Sequence, residues 1–289
     1  MRQTPPEALR IKISAVLGQN IKSISPLSGG CVGEVYRIDL SDNTRWVVKI
    51  AEGPNATLSI EGLMLQYLKQ HSQLPVPKVR HNSDPLLVME YIDGSGSIAP
   101  TVEEHAAHLL AELHGITQAR CGFEFDTLIG GLHQPNPWTP SWIEFFRKQR
   151  LLYMAHVAHQ TGRLPSETLK RIESLSAQLP ELLTEPEQAA LLHGDIWSGN
   201  VLTNGKRISG FIDPAIYYGH PEIELAFITL FGTFGKRFFE CYEKKLTIAP
   251  GFFETRRHIY NLYPLLVHVR LFGGGYIHQV EQSLELLGF

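Results

Sequence analysis

Apolar and polar residues alternate with two different periods along this chain, and the period changes near residue 92. Residues 7–19 carry apolar positions at the spacing of a short amphipathic helix. Two β-like segments follow, Glu34–Leu40 and Arg45–Ile50, flanking the turn residues "SDNT". "ATLSIEGLMLQYLKQH" (56–71) returns to helical spacing through Leu58, Met64, Leu65 and Leu68, and Leu86–Tyr91 reads as another strand. From there the pattern is helical. Thr101 with Glu104, and Ser141 with Glu144, have capping-box spacing ahead of apolar runs, the second helix extending to about Gln160. A further helix covers 166–179, and the chain from about Glu222 is aromatic-rich and mostly helical. Between them, two short strands are joined by Asn204-Gly205, a two-residue hairpin signal.

This order predicts an α+β protein of two lobes. A small β-rich unit with one main helix spans 1–92, a hinge lies near 91–94, and a larger, mainly helical unit spans 93–289. Composition does not change that picture: 289 residues, 43% hydrophobic and 19% charged, suffice for two substantial cores. Charge narrows the partners. A net charge of −3 argues against a nucleic-acid binder resting on a broad basic face. Cys31, Cys121 and Cys241 are widely separated and form no CxxC pair, which argues against a disulfide framework or Cys-rich zinc site and fits a reducing compartment. No apolar run approaches the ~20 residues of a membrane span, and the first residues lack a signal-peptide core. A cytoplasmic protein without nucleic-acid or membrane partners is expected.

The candidate chemistry lies in "LLHGDIWSGNVLTNGKRISGFIDP" (191–214), where Asn200 follows Asp195 by five positions and Asp213 follows Asn200 by thirteen. A loop could present Asp195 and Asn200, and the hairpin could return Asp213 to them. Two carboxylates and an amide oxygen form a hard donor set suited to Mg2+. Singly, each residue could equally cap a turn or end a strand. Together they match the protein-kinase spacing of a catalytic Asp, an Asn and a metal-binding Asp, which points to phosphoryl transfer. ATP as cosubstrate then calls for three further parts. "SGGCVGEV" (28–35) offers Gly29, Gly30 and Gly33 for close approach to phosphates, although its order differs from GxGxxGxV. "WVVKI" puts Lys49 on a strand fourteen residues after Val35, and Glu61, on the following helix, is its partner for the α- and β-phosphates. "VMEYIDG" supplies a hinge whose Glu90 and Ile92 backbone groups would meet the adenine edge.

"LLHGDIWSGNVL" together with "GFIDPAIYYGHPEIELAFITLFGTF" resembles the fructosamine kinase (ketosamine-3-kinase) family, part of the wider group of aminoglycoside- and choline-kinase-like phosphotransferases. The likeness extends to "SGGCVGEVYRI", "TLIGG" and "LFGGGYIHQV", and so covers nearly the whole chain. It implies a protein-kinase-like fold and ATP-dependent phosphorylation of the 3-hydroxyl of ketosamines, fructosamines or ribulosamines that are free or protein-bound, as a deglycation step. It also implies Asp195 as catalytic base, Asn200 and Asp213 as Mg2+ ligands, Lys49 with Glu61 as phosphate anchor, and Trp197 as a platform for the sugar-amine. Tyr217 and Tyr218 would line the acceptor pocket or pack in the core; His193, His108 and His114 read as structural. His220 and Glu222 would brace the loop, and Glu224 would either do the same or meet substrate. Cys31, in the glycine-rich loop, could form a redox-linked dimer of an otherwise monomeric enzyme, or be unregulated. The alternatives are a kinase of the same fold acting on an aminoglycoside, choline, homoserine or thiosugar, or a nucleotide-binding pseudokinase.

Overall fold

Alternation along two neighbouring strands fixes the first half of the molecule. In the computed structural model, which describes residues 7–27, 33–51, 57–94 and 96–289, a helix α1 (Glu7–Leu17) precedes strands β1 (Ile21–Pro26), β2 (Glu34–Leu40) and β3 (Arg45–Ile50). Helix α2 (Leu58–His71) and strands β4 (Val79–Ser83) and β5 (Leu86–Glu90) follow. The five strands form one antiparallel sheet in the order β1-β2-β3-β5-β4. Tyr36, Ile38, Leu40, Val48, Ile50, Leu86 and Val88 point to one face, where Ile13 and Leu17 of α1 cover them. Because successive side chains point to opposite faces, Val47, Leu87 and Met89 fall on the other face with Met64, Leu65 and Leu68 of α2. Lys49 shares that second face.

The remainder is built on helices. Helix α3 (Pro100–His114) leads to β6 (Thr117–Gln118) and to a hairpin, β7 (Thr127–Ile129) and β8 (Leu132–Gln134). Helix α4 (Trp142–Phe145) runs through a π-helical stretch, Phe146–Leu152, into α5 (Tyr153–Gln160), followed by α6 (Ser166–Leu182). Then come β9 (Ala189–Leu192), the hairpin β10 (Val201–Thr203) and β11 (Ile208–Phe211), β12 (Tyr217–Gly219), and helices α7 (Pro221–Leu230), α8 (Lys236–Tyr242), α9 (Arg257–Phe272) and α10 (Gly275–Leu286). Strands β12, β9 and β6 form a second small antiparallel sheet. The large core gathers around Trp142, Phe145, Phe146, Tyr217, Phe238 and Tyr260, all 2% exposed or less. No helix among the described residues is long and apolar enough to cross a membrane.

Two local expectations change. Thr101 does not cap α3: Pro100, with its fixed φ, opens the helix after Ala99 and leaves Thr101 inside the first turn. Glu103 instead accepts from the backbone N–H groups of Gly235 (3.0 Å) and Phe238 (3.1 Å) at the start of α8. The β10–β11 connection has four residues, because Thr203 pairs with Ile208. Asn204 Oδ1 accepts from the Lys206 and Arg207 amides, 3.0 Å each, and so makes the longer turn. Ser141 caps α4 as its spacing predicts, accepting from the Glu144 amide at 3.2 Å.

Candidate active site

Strand β9 delivers the chain to Asp195 through Gly194, whose φ is +86°. A Cβ at Gly194 would sit 2.1 Å from the Ala215 carbonyl oxygen, so only glycine allows the two segments to approach this closely. The Gly194 amide donates to Glu224 Oε1 at 2.5 Å and the His193 amide to Glu224 Oε2 at 3.3 Å. His114 Nε2 donates to the same carboxylate at 2.9 Å, and its Nδ1 meets the Tyr242 hydroxyl at 2.7 Å. Burial opposes the Glu224 charge, but the His114 hydrogen bond and these neighbours more than offset it and hold the carboxyl below its usual range. A fully enclosed carboxylate therefore ties down the backbone of the loop that carries Asp195. Glu224 braces; it does not face the cleft.

Asn200 turns back onto Asp195 as its spacing suggests. Its Nδ2 donates to the Asp195 carbonyl (3.0 Å) and to Asp195 Oδ2 (2.9 Å), which leaves Oδ1 as its oxygen donor. Asp213 follows β11 with φ +53°, a left-handed conformation that Asp adopts more readily than most residues. Its Oδ1 lies 2.5 Å from Lys49 Nζ, which also bonds Glu61 Oε1 at 2.7 Å. Burial works against the Lys49 charge, yet Glu61 and Asp213 outweigh it and hold the ammonium above its ordinary value. For Asp195 the signs reverse: enclosure by protein and then the Asp213 charge push its carboxyl up to about 8, against the Asn200 hydrogen bond. A cation between the two aspartates would remove that repulsion. Asp195, Asn200, Asp213, Lys49 and Glu61 thus converge on one narrow space of about 80 Å3.

Two larger cavities open from it. One, of about 470 Å3, lies under the five-stranded sheet, with apolar walls from Leu27, Val35, Val47, Met89, Leu202 and Ile212. Glu90 and Ile92 are on its edge. The Glu90 amide is already bonded to the Lys78 carbonyl at 2.9 Å, so Glu90 can offer a ligand its carbonyl; no bond involves the Ile92 N–H among the described residues. The other cavity, of about 330 Å3, is bounded by Asp195, Phe227, Phe231, His268, Phe272 and Tyr276 among others. Trp197, 39% exposed, lines both and stands as the partition between them. Its ring lies over Gly199, where a Cβ would be 2.4 Å away.

Gly33 lies just before β2, whereas Gly29, Gly30 and Cys31 fall outside the described residues. Tyr217 and Tyr218 line neither large cavity. On β12 both are 2% exposed; Tyr217 packs on the Arg150 guanidinium (4.0 Å to the ring centre), and the Tyr218 hydroxyl bonds Tyr67 at 2.9 Å. The aromatic walls contributed by α7, α9 and α10 carried no signal of their own, since Phe and Tyr at helical spacing read as core. His193 is fully buried, and His220 accepts from the Glu222 amide at 3.1 Å while Glu222 pairs with Arg256 at 2.6 and 2.7 Å.

Comparison with known proteins decides the lineage. The model of the fructosamine kinase family matches residues 7–287. The chain belongs to that family. Among family relatives, it is 32% identical to a "probable ketoamine kinase" of Synechocystis, covering 97% of this chain and 96% of the relative. It is also 32% identical to the mouse ketosamine-3-kinase (89% and 92%) and to the chloroplastic protein-ribulosamine 3-kinase of Arabidopsis thaliana (89% and 79%). A solved chain from Thermobifida fusca, carrying a provisional fructosamine-3-kinase description, superposes with a TM-score of 0.89 at 30% identity over 98% of this chain and 99% of that one. An aminoglycoside phosphotransferase, 18% identical with a TM-score of 0.68 over 97% and 99%, shares the protein-kinase-like fold.

Proposed function

We propose that this protein is an ATP-dependent kinase of ketosamines, transferring the γ-phosphoryl group to the sugar 3-hydroxyl of fructosamines or ribulosamines, free or attached to protein. The observation that carries the reading is the convergence of Asp195, Asn200, Asp213 and Lys49 between an apolar cavity and an aromatic one. The family relatives named for ketoamine, ketosamine and ribulosamine phosphorylation support the acceptor class.

In this reading residues 1–92 hold the nucleotide and 93–289 supply the catalytic loop and the acceptor wall. Adenine enters the 470 Å3 cavity, with the Glu90 carbonyl and Ile92 N–H at its edge. Lys49, fixed by Glu61, neutralises phosphate oxygens. Asn200 Oδ1 and the Asp213 carboxylate form a hard-oxygen set that fits Mg2+, which when bound would neutralise phosphate charge. Asp195, held by the Asn200 side chain, orients the attacking hydroxyl and accepts its proton. Trp197 covers the sugar-amine. Cys121 and Cys241 are free and buried, in keeping with work in the cytoplasm. ADP release measured over fructosamines, ribulosamines and aminoglycosides tests the assignment. Ketosamine-dependent turnover is expected; turnover only with an aminoglycoside, or none despite tight ATP binding, would contradict it.

A further inference from the structure

The hairpin β7–β8 ends in a feature that the reaction outlined above leaves without a role. Ile129 pairs with Leu132, so Gly130 and Gly131 alone make the turn, with φ of +54° and +81°. Positive φ at both central positions is the two-residue turn that suits a hairpin's twist. The tip lies at the reacting centre: both glycines line the narrow space with Lys49, Asp195, Asn200 and Asp213, and Gly130 also lines the aromatic cavity. Neither glycine N–H has an acceptor among the described residues.

The base of this hairpin is held with unusual firmness. Thr127, Gln134, Asn136 and Arg150 are each 1% exposed or less. Gln134 Nε2 donates to Thr127 Oγ1 (2.8 Å) and to the Ala215 carbonyl (3.0 Å), and Thr127 Oγ1 donates to the Ile216 carbonyl (3.1 Å). Asn136 Nδ2 also bonds Thr127 Oγ1 (2.8 Å), Arg150 Nη2 bonds Asn136 Oδ1 (2.6 Å), and the Tyr263 hydroxyl donates to Gln134 Oε1 (2.7 Å). Burying this many polar groups is tolerable because these bonds satisfy most of them; Arg150 Nε alone of this set is buried without a partner. The bonds land on Ala215 and Ile216, two and three residues after Asp213, and so tie the turn to the segment that carries the metal-ligand candidate. A rigid turn without side chains, at the junction of the cavities and with two free donors, can approach a ligand more closely than any side-chain-bearing loop.

We infer that Gly130 and Gly131 form a backbone subsite for the acceptor, their N–H groups donating to oxygen atoms of its sugar chain beside Asp195. The inference rests on the ketosamine reading and deepens it. The subsite reads oxygen lone pairs of a polyhydroxylated chain and leaves the amine end to the aromatic wall. A side chain at Gly130 would be strained by its φ of +54° and would push the Leu271 Cδ1 methyl, 2.9 Å from the added Cβ, further along the acceptor wall.

Amide hydrogen exchange on the intact, 15N-labelled wild-type protein tests this without any risk of misfolding. The protein is saturated with a non-hydrolysable ATP analogue and Mg2+, then titrated with a fructose-derived alkyl ketosamine, and the Trp197 indole signal reports occupation of the cleft. The Gly130 and Gly131 amides are expected to exchange about tenfold more slowly with acceptor than with nucleotide alone, and to shift downfield. If the Trp197 signal saturates while both glycine amides exchange at their original rate, the subsite is wrong and the ketosamine reading stands. If neither Trp197 nor the glycines respond, the ketosamine reading fails and the subsite falls with it.

Discussion

The Lys49 ammonium and the Asp213 carboxylate meet at 2.5 Å although 164 residues separate them in the chain. This contact joins the five-stranded sheet to the hairpin of the helical half, and Glu61 bonds the same ammonium at 2.7 Å. Removing the cation leaves two partly buried carboxylates near each other, a loss of about 1–3 kcal/mol. Lys49→Met is therefore expected to lower the melting temperature and to raise the KM for ATP. Lys49→Arg should not restore the KM, because the planar fork cannot take the place of a compact ammonium between two single-oxygen contacts. Calorimetry with steady-state kinetics checks both effects, and an unchanged melting temperature for Lys49→Met would show that the pair carries little of the stability.

Glu224 acts on the reaction only through the loop backbone. Glu224→Gln keeps the shape but removes the charge that accepts from Gly194, His193 and His114. Charge-assisted bonds of this type are worth about 1.5–3 kcal/mol, so kcat is expected to fall roughly ten- to a hundredfold. The KM for ATP should stay within about twofold. Equal changes in both constants would point to general unfolding rather than loop placement.

Burial lowers the pKa of both His193 and His220 to about 4, well below the ordinary histidine value. Folding then favours the neutral rings. Their contribution is complete above about pH 6.5 and is lost as the pH falls towards 4, where the unfolded chain takes up protons that the folded one refuses. Between pH 7.5 and 5.5 the two rings together should cost about 2–3 kcal/mol; the raised Asp195 carboxyl contributes with the opposite sign over the same window, so the histidine part is read as a difference between variant and wild type. His220→Asn keeps a good cap for α7 and is expected to remove roughly half of the histidine contribution, about 1–1.5 kcal/mol between the two pH values. A His220→Asn variant whose melting temperature changes with pH just as that of the wild type does would contradict the assignment.

Trp197 separates the two large cavities. Trp197→Ala should raise the KM for the ketosamine about three- to tenfold through lost ring contact, with a smaller change in the KM for ATP. The opposite order of effects would make it a nucleotide residue.

Strands β2 and β3 have the boundaries read from the sequence, because their apolar alternation is set by a core on each face of the sheet. Strands β1 and β4 escaped, since each lies at an edge, half exposed, and "VRHNS" resembles a turn. Lys49, Glu61, Asp195, Asn200 and Asp213 were legible because polar residues at kinase spacing stand out against apolar neighbours. Phe227, Phe231, Phe272 and Tyr276 were not, because a ligand cavity lined by aromatic residues and a packed core share one sequence pattern. The same ambiguity explains Tyr217 and Tyr218, which were equally compatible with pocket and core until Arg150 and Tyr67 were seen to occupy their polar sides. The Gly130–Gly131 turn was visible within "TLIGG", but only the register and the cavity linings bring it beside Asp195.

The central claim is that Asp195 drives phosphoryl transfer to a ketosamine, and one comparison tests it most directly. Ketosamine-dependent turnover is measured for wild type and Asp195→Asn side by side, with nucleotide affinity measured by titration on the same preparations. The account expects wild-type turnover, a loss of about 10²–10⁴-fold in kcat for the variant, and a Kd for Mg2+-ATP within about threefold of wild type. Near-normal kcat in Asp195→Asn, or a wild type that turns over no ketosamine, would contradict it.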